Sequence, residues 1–287
     1  EFNQPQFSQG CQPGSLYGKG AFGVHNGASL SQLLFARTSL PLGITPDFLE
    51  MPSLVKPGDP FAGVQQSTNL RTIATTYDPR FKAKNDVVQI NLEFKPSEDL
   101  KLVSQTAYSR DFYYSTQDYG RFQSNPIFND SNGLINPFPD PVTGAFGLPA
   151  YPITPGGVYT DPQLGPSTGY LAVDLVRSHS KQWSQEFRLQ SAFDGRFNFS
   201  VGANYLDYKI NEDYFVFNNV FTATAQEFFN QGYFGRTPIN CTPNYVDEFN
   251  NSCVYIDPNP IGKINGQGHN YFRSQNIGET RSKALFG

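Results

Sequence analysis

The sequence has no long apolar run, few histidines and cysteines, and no excess of basic residues. No segment approaches the roughly 18 apolar residues of a membrane-spanning helix. The three histidines and three cysteines show no metal-ligand spacing. A formal net charge of −4 without a basic cluster is unlike a nucleic-acid-binding protein. We therefore expect no metal, no cofactor, no nucleic-acid partner and no enzymatic activity.

Apolar and polar residues alternate along two stretches, and each stretch predicts a β-hairpin. In the first, apolar Val88, Ile90, Leu92 and Phe94 alternate with polar residues such as Gln89 and Glu93 up to a turn at 96–99. The second stretch has two faces, listed here: Trp183, Phe187, Leu189 and Phe193 on one, and Glu186, Arg188 and Gln190 on the other. Apolar residues then recur at Phe197, Phe199, Val201, Ala203 and Tyr205.

Two finer expectations follow from the second hairpin. Asp194-Gly195 suits a two-residue turn with positive φ. Glu186 and Arg188 lie two residues apart on one face, so each is expected to pair with another strand or a plug, or to meet water in the channel, rather than to pair with the other.

About five strands are predicted, at 82–95, 99–114, 172–193, 196–216 and 270–287. Two long irregular segments, rich in Pro, Gly, Asn and aromatic residues, separate the hairpins and the last strand. Loops longer than about 15 residues are unusual in compact domains. Short turns at one end and long loops at the other are typical of outer-membrane β-barrels.

We therefore predict an all-β fold, a transmembrane antiparallel β-barrel with long extracellular loops. The predicted regions are a loop region 1–81, a hairpin 82–116, a loop 117–171, a hairpin 172–216, a loop 217–268 and a strand 269–287. Because bacterial barrels need at least about eight strands to close, these strands are expected to belong to a larger barrel.

Four segments of the sequence resemble the TonB-dependent receptors of the bacterial outer membrane. They are 85–108, the Trp183–Ser191 stretch with Ser-Gln-Glu-Phe-Arg-Leu-Gln-Ser, Gly202-Ala203-Asn204-Tyr205 and Arg281–Gly287. The resemblance implies a plugged barrel of about 22 strands that imports a scarce nutrient such as an iron chelate, cobalamin or an oligosaccharide. Its implied partners are outer-membrane lipid, the nutrient, and the TonB energy-coupling protein, which would act through a plug. The plug and the C-terminal strands of such a receptor are expected to lie outside this chain.

Two other functions remain open from the sequence. A barrel without transport activity would act as a scaffold or surface component of an envelope assembly. A soluble β-sandwich that binds carbohydrate is the third option.

The candidate ligand-binding residues lie at the end of the first hairpin and the start of the loop 117–171. They are the aromatic residues Tyr113, Tyr114, Tyr119 and Phe122, with Arg121 beside them, and flat rings next to hydrogen-bonding groups suit a sugar or an aromatic chelate. The alternative is that such residues pack the loops against one another.

Eleven residues separate Cys241 from Cys253 in the second long loop. A disulfide between them would stabilise the loop by about 3 kcal/mol, and two free thiols are the alternative. Cys11 is expected to have lost a partner outside the chain. Short helices are expected within 28–40 and 224–230.

Overall fold

A computed structural model of the chain describes residues 18–24, 26–27, 54–56, 58–120, 122–133, 144–145, 152–226, 256–264, 266 and 268–287. The strands are β1 (Arg80–Ser97), β2 (Leu100–Asp118), β3 (Tyr159–Asp161), β4 (Gly165–Ser167), β5 (Ala172–Ser191), β6 (Ser200–Asn218) and β7 (Tyr271–Phe286). One α-helix, α1 (Asn219–Ala225), and the 3-10 turns Lys19–Phe22, Pro155–Gly157 and Ile261–Lys263 complete the described elements. The described part is mostly antiparallel β-sheet, so the all-β prediction is confirmed.

The five long strands form one sheet in the order β1-β2-β5-β6-β7. Chain neighbours are sheet neighbours, as expected when hairpins and long loops alternate. Each of the five predicted strands is present, with ends shifted by at most four residues. Within the described residues, β1 and β7 do not pair with each other and the sheet is open.

The β1–β2 hairpin has the predicted tight turn. Ser97 pairs with Leu100, which leaves Glu98 and Asp99 as the turn. The register shifts between Phe94 and Ser97, a segment that contains Pro96, and proline has no N–H to give to a regular ladder.

The predicted two-residue turn at Asp194-Gly195 is wrong. β5 ends at Ser191 and β6 begins at Ser200, and Gly195 is not among the glycines with positive φ. The Asn198 side chain closes the connection instead: its Oδ1 accepts from Phe193 N–H (2.6 Å) and its Nδ2 donates to Phe193 O (3.0 Å). Side-chain bonds of this kind replace a backbone turn.

The chain divides into two compact units. The strand unit comprises Pro79–Gln117, Leu175–Phe215 and Arg273–Gly287. The loop unit comprises the described residues of Glu1–Asp78, Asp118–Asp174 and Val216–Phe272.

The loop unit has its own hydrophobic core. Its buried members include Leu54, Ile127, Phe128, Tyr159 and Val220, which come from three separate parts of the chain. Both predicted long loops therefore contribute to one core. In that core α1 packs against β3.

Helix α1 starts earlier than predicted. Its N-cap is Asn218, whose Oδ1 accepts from Val220 N–H (3.0 Å) and Phe221 N–H (3.3 Å), as N-cap asparagines do. The predicted helix began at Thr224, and the rest of it, like that at 28–40, lies outside the described residues.

Candidate functional site

The strand unit presents two faces, which we call face A and face B. Even-numbered residues of β1 lie opposite even-numbered residues of β2, for example Val88 opposite Tyr108. Gln185 bonds Thr106 Oγ1 (2.6 Å) and Ser104 Oγ (3.1 Å), so the odd-numbered residues of β5 share this face A with the even-numbered residues of β2.

Face A continues across the sheet to β7. Arg177 on β5 bonds Asp213 on β6, and Arg281 on β7 bonds Asp207 on β6. The odd-numbered residues of β5, β6 and β7 therefore belong to face A, and their even-numbered neighbours belong to face B.

An apolar band covers face A near the hairpin turns. It consists of Val88, Ile90, Leu92, Phe94, Leu102, Phe187, Leu189, Val201, Ala203 and Leu285, and the hydrogen-bonded polar side chains of Ser104, Thr106 and Gln185 lie among them. Leu92 is 63% exposed and Phe187 is 52% exposed. A water-soluble sheet buries such a face against a second layer; within the described residues, these side chains are left open.

Aromatic rings border the apolar band at both of its ends. At the end away from the turns, Trp183 packs on Tyr205, with ring centroids 5.5 Å apart. At the turn end, Phe199 contacts both Phe193 and Phe197, each with ring centroids 6.3 Å apart. From Trp183 to Ser191 the strand runs about 27 Å, and the turn aromatics follow directly.

Face B is polar along most of its length. It carries Gln89, Asn91, Glu93, Gln105, Ser109, Ser180, Gln182, Ser184, Glu186, Arg188, Gln190, Asn204, Thr280 and Ser282. Its larger apolar residues include Phe81, Val87, Val103, Leu206 and Ile210. Residues predicted on the same face of each strand are therefore on the same face in the structure. A small residue also occurs here: the ring of Phe286 covers Gly202 and leaves no room for a Cβ.

The expectation that Glu186 and Arg188 would not pair with each other is wrong. Arg188 Nε lies 3.6 Å from Glu186 Oε1. Long side chains reach along the strand across the roughly 7 Å that separates residues two apart. The pair remains on face B, as predicted.

The predicted ligand-binding residues do not gather within either unit. Tyr113 and Tyr114 are consecutive on β2 and so lie on opposite faces, and Tyr113 packs edge-on against Phe81 (5.5 Å). In the loop unit, Tyr119 is 54% exposed, whereas Phe122 packs edge-on against Phe61 (5.2 Å). The Phe122 contact favours the loop-packing alternative for that residue. The ligand-binding role of the four stays a prediction, and Arg121 lies outside the described residues.

The predicted disulfide also falls outside the described residues. Cys241, Cys253 and Cys11 are not in the described ranges, so their pairing stays a prediction.

A buried polar network that the sequence did not predict joins the two long loops. Gln163 Nε2 donates to the carbonyls of Asp257 (2.6 Å) and Asn259 (2.7 Å), and Asn270 Nδ2 donates to Gln163 Oε1 (2.8 Å). Tyr271 OH donates to Asp257 Oδ2 (2.8 Å). Buried amides with satisfied bonds fix one arrangement of the segments they join.

Asp161 lies in the same region and is buried. Its Oδ1 accepts from the backbone N–H groups of Gln163 (2.8 Å) and Leu164 (3.0 Å). The neighbouring Thr222 hydroxyl donates to Asn218 O, and Asp161 Oδ2 accepts no hydrogen bond from the described residues. Burial raises the pKa of this carboxyl, and its hydrogen bonds oppose that rise.

The segment Gly165–Gly169 reads Gly-Pro-Ser-Thr-Gly and matches the Gly-x-Ser-x-Gly pattern of hydrolases, although the sequence predicted no catalytic site. That pattern needs a strand, a sharp turn and a following helix. Here Ser167 ends β4, is buried, and its Oγ donates to Gly169 O (2.9 Å) and accepts from Gly169 N–H (3.1 Å). The serine therefore stabilises a turn.

Within the described ranges, no group of three or more His, Cys, Asp or Glu side chains is placed to hold a metal ion. Nor does any helix in the described part of the chain have the length and apolar character needed to cross a membrane.

Comparison with known proteins finds no matching family model, no matching curated protein and no matching solved structure.

Proposed function

We propose that the strand unit is a segment of an outer-membrane β-barrel, and that the protein is a TonB-dependent receptor. It would bind a scarce nutrient, such as an iron chelate, cobalamin or an oligosaccharide, and import it into the periplasm. One observation carries the proposal: the exposed apolar band of face A lies between two aromatic clusters and is backed by a polar face B. Lipid-facing barrel strands have this pattern.

The exposed surface supports a lipid environment over an aqueous one. Soluble monomers rarely expose contiguous apolar patches larger than a few hundred Å². The apolar band runs over five strands, from Phe94 on β1 through Leu102, Leu189 and Val201 to Leu285 on β7. Barrel strands bury such a surface in acyl chains.

The open edges support further strands beside this sheet. β1 has 18 residues and β7 has 16, and each pairs on one side among the described residues. Long unpaired edges template pairing with other strands, and closure into a barrel removes them.

The boundary of the apolar band at the end away from the turns runs obliquely across the strands, as it does in a barrel with tilted strands. On successive strands, the first charged residues beyond the band are Asp86, Arg110, Lys181, Asp207 and Lys283. Asp86 lies opposite Arg110. The Ser191–Phe199 backbone bond places Asp207 two residues nearer the turns than Lys181. The Arg281–Asp207 bond places Lys283 two residues nearer the turns than Asp207. Four residues along the strand, about 13 Å, over four strand spacings, about 19 Å, correspond to a slope of about 35°. Barrel strands tilt by a similar angle.

The loop unit supports the receptor part of the proposal. The described parts of the two long loops share a core and a buried Gln163–Asn270 network, so these parts form a preorganised surface. Preorganisation reduces the entropy lost when a ligand binds.

Nutrient uptake by a deletion strain tests this function. We expect loss of growth on one limiting iron chelate, cobalamin or oligosaccharide, restored by the full-length gene but not when the TonB system is inactive. Unchanged uptake of every nutrient, together with loss of an envelope assembly, would instead favour the scaffold function.

A further inference from the structure

Beyond the apolar band, face A of the strand unit is basic. In this unit face A carries ten Lys and Arg residues and four Asp and Glu residues. The cations are Arg80, Lys82, Lys84, Arg110, Arg177, Lys181, Lys209, Arg273, Arg281 and Lys283, and the anions are Asp86, Asp207, Asp213 and Glu279. The whole chain has a net charge of −4. Positive charge is thus concentrated on one part of one face.

Two arginines at the end of this surface share a single carboxylate. Arg177 Nε bonds Asp213 Oδ2 (3.1 Å), and Arg273 Nη2 bonds Asp213 Oδ1 (2.8 Å). Both guanidinium groups lie over the ring of Phe215, at 5.1 Å and 5.7 Å from its centroid. This trio carries one net positive charge and holds both planar guanidinium groups in place.

Nearer the apolar band, Lys84 and Arg110 flank Asp86. Lys84 Nζ lies 3.0 Å from Asp86 Oδ2 and Arg110 Nη2 lies 3.9 Å from the same atom. Their side chains are 62% and 65% exposed. Lys181, on β5, has no carboxylate partner among the described residues. Lys84, Arg110 and Lys181 together with Asp86 therefore carry two net positive charges on exposed side chains.

We propose that this basic surface binds the phosphate groups of lipid headgroups in the leaflet on the loop side of the membrane. The inference rests on the proposed membrane function. The basic surface directly continues the face that would contact acyl chains, so the same lipid molecules present their headgroups to it. Guanidinium groups bind phosphate through paired hydrogen bonds, and basic residues beside a membrane attract anionic lipids.

Lipid binding to the purified full-length protein in maltoside detergent tests the inference. The probe is bis-phosphorylated lipid A, and its dephosphorylated form is the matched ligand; native mass spectrometry measures both affinities. The test variant is Lys84→Gln/Arg110→Gln/Lys181→Gln on face A. The control, Lys95→Gln/Lys101→Gln/Arg188→Gln, removes the same charge from the turn and face B.

We expect the wild type and the control to prefer the phosphorylated lipid, and the face-A variant to bind it about tenfold or more weakly, because each basic residue near an anionic surface strengthens binding several-fold. Equal losses in both variants, or equal affinity for the two lipids, would overturn the inference.

Insertion of the same preparations into phosphatidylcholine vesicles separates this inference from the proposed function. Insertion without a phosphate preference overturns the lipid-binding inference alone. A wild-type protein that does not insert overturns both.

Discussion

The indole ring of Trp183 packs on the phenol ring of Tyr205 of the neighbouring strand, with centroids 5.5 Å apart and planes at 57°. Both rings lie on face A, where the apolar band ends and charged residues begin. Rings with an apolar body and a polar N–H or O–H group favour the membrane–water interface. The pair therefore marks the proposed upper boundary of the lipid-facing surface.

Charge on the two faces should have opposite consequences. Leu92→Arg on face A should destabilise the inserted protein by about 2–4 kcal/mol because Leu92 lies near the middle of the apolar band, whereas Leu189→Arg, two residues from the turn end of β5, should cost less. The matched variants Gln89→Arg and Gln190→Arg on face B should change stability little, because that face meets water or polar groups. Urea titration of folding into phosphatidylcholine vesicles measures the difference. Equal tolerance on both faces would contradict the membrane assignment.

The loop unit and the β5–β6 connection should be accessible from opposite sides of the membrane. Exposed Asn132 and exposed Asp194 can each be changed to cysteine in a background whose natural cysteines are serine. A membrane-impermeant maleimide should label the Asn132→Cys protein in intact cells and the Asp194→Cys protein only after the outer membrane is permeabilised. The reverse pattern would show that the topology is inverted.

Asn198 should stabilise the β5–β6 connection more than Asp194-Gly195 does. Asn198→Ala removes the two bonds to Phe193 and the one from Ser191 Oγ (2.9 Å), and we expect a loss of about 1–2 kcal/mol because these bonds are partly exposed. Asp194→Ala serves as the control and should change stability little. Comparable effects of the two variants in the same urea titration would refute this account of the turn.

Asp161 should make the loop unit less stable as the pH rises. Burial raises its folded-state pKa above the ordinary value of 3.8, so the folded state holds the proton more tightly than the unfolded state. Its favourable contribution is therefore complete at low pH and is lost as the pH rises through the folded pKa.

The Asp161→Asn variant should remove this pH dependence because asparagine does not ionise. Its Oδ1 can still accept from the N–H groups of Gln163 and Leu164, so the local structure is kept. Hydrogen exchange at these two amides, corrected for intrinsic rates, measures local stability across the pH range. An equally steep dependence in the variant would assign it to another group.

The long strands were predictable because alternation persists over many residues. Leu92 and Glu93, or Phe187 and Arg188, occupy opposite faces in any extended chain, so the five strands and their faces follow from sequence. The β3–β4 hairpin was not predictable: each strand has three residues, too few for a period to emerge.

The candidate site was predictable only in part. The apolar and polar faces are a property of single strands, whereas the Gln163–Asp257 and Gln163–Asn270 bonds join residues 94 and 107 positions apart. Such pairs leave no local pattern in the sequence. The bonds between the Asn198 side chain and Phe193 were not predicted, because Asp194-Gly195 is a strong turn signal and drew attention away from Asn198.

The most direct test of the membrane assignment uses Trp183, the single tryptophan of the chain and 40% exposed on face A. Its fluorescence can be followed in vesicles that contain lipids brominated at different depths. We predict strong quenching by lipids brominated near the headgroup end of the acyl chains, weaker quenching by bromine near the chain ends, and little quenching by aqueous iodide. Efficient iodide quenching with no effect of any brominated lipid would place Trp183 in water and contradict the account.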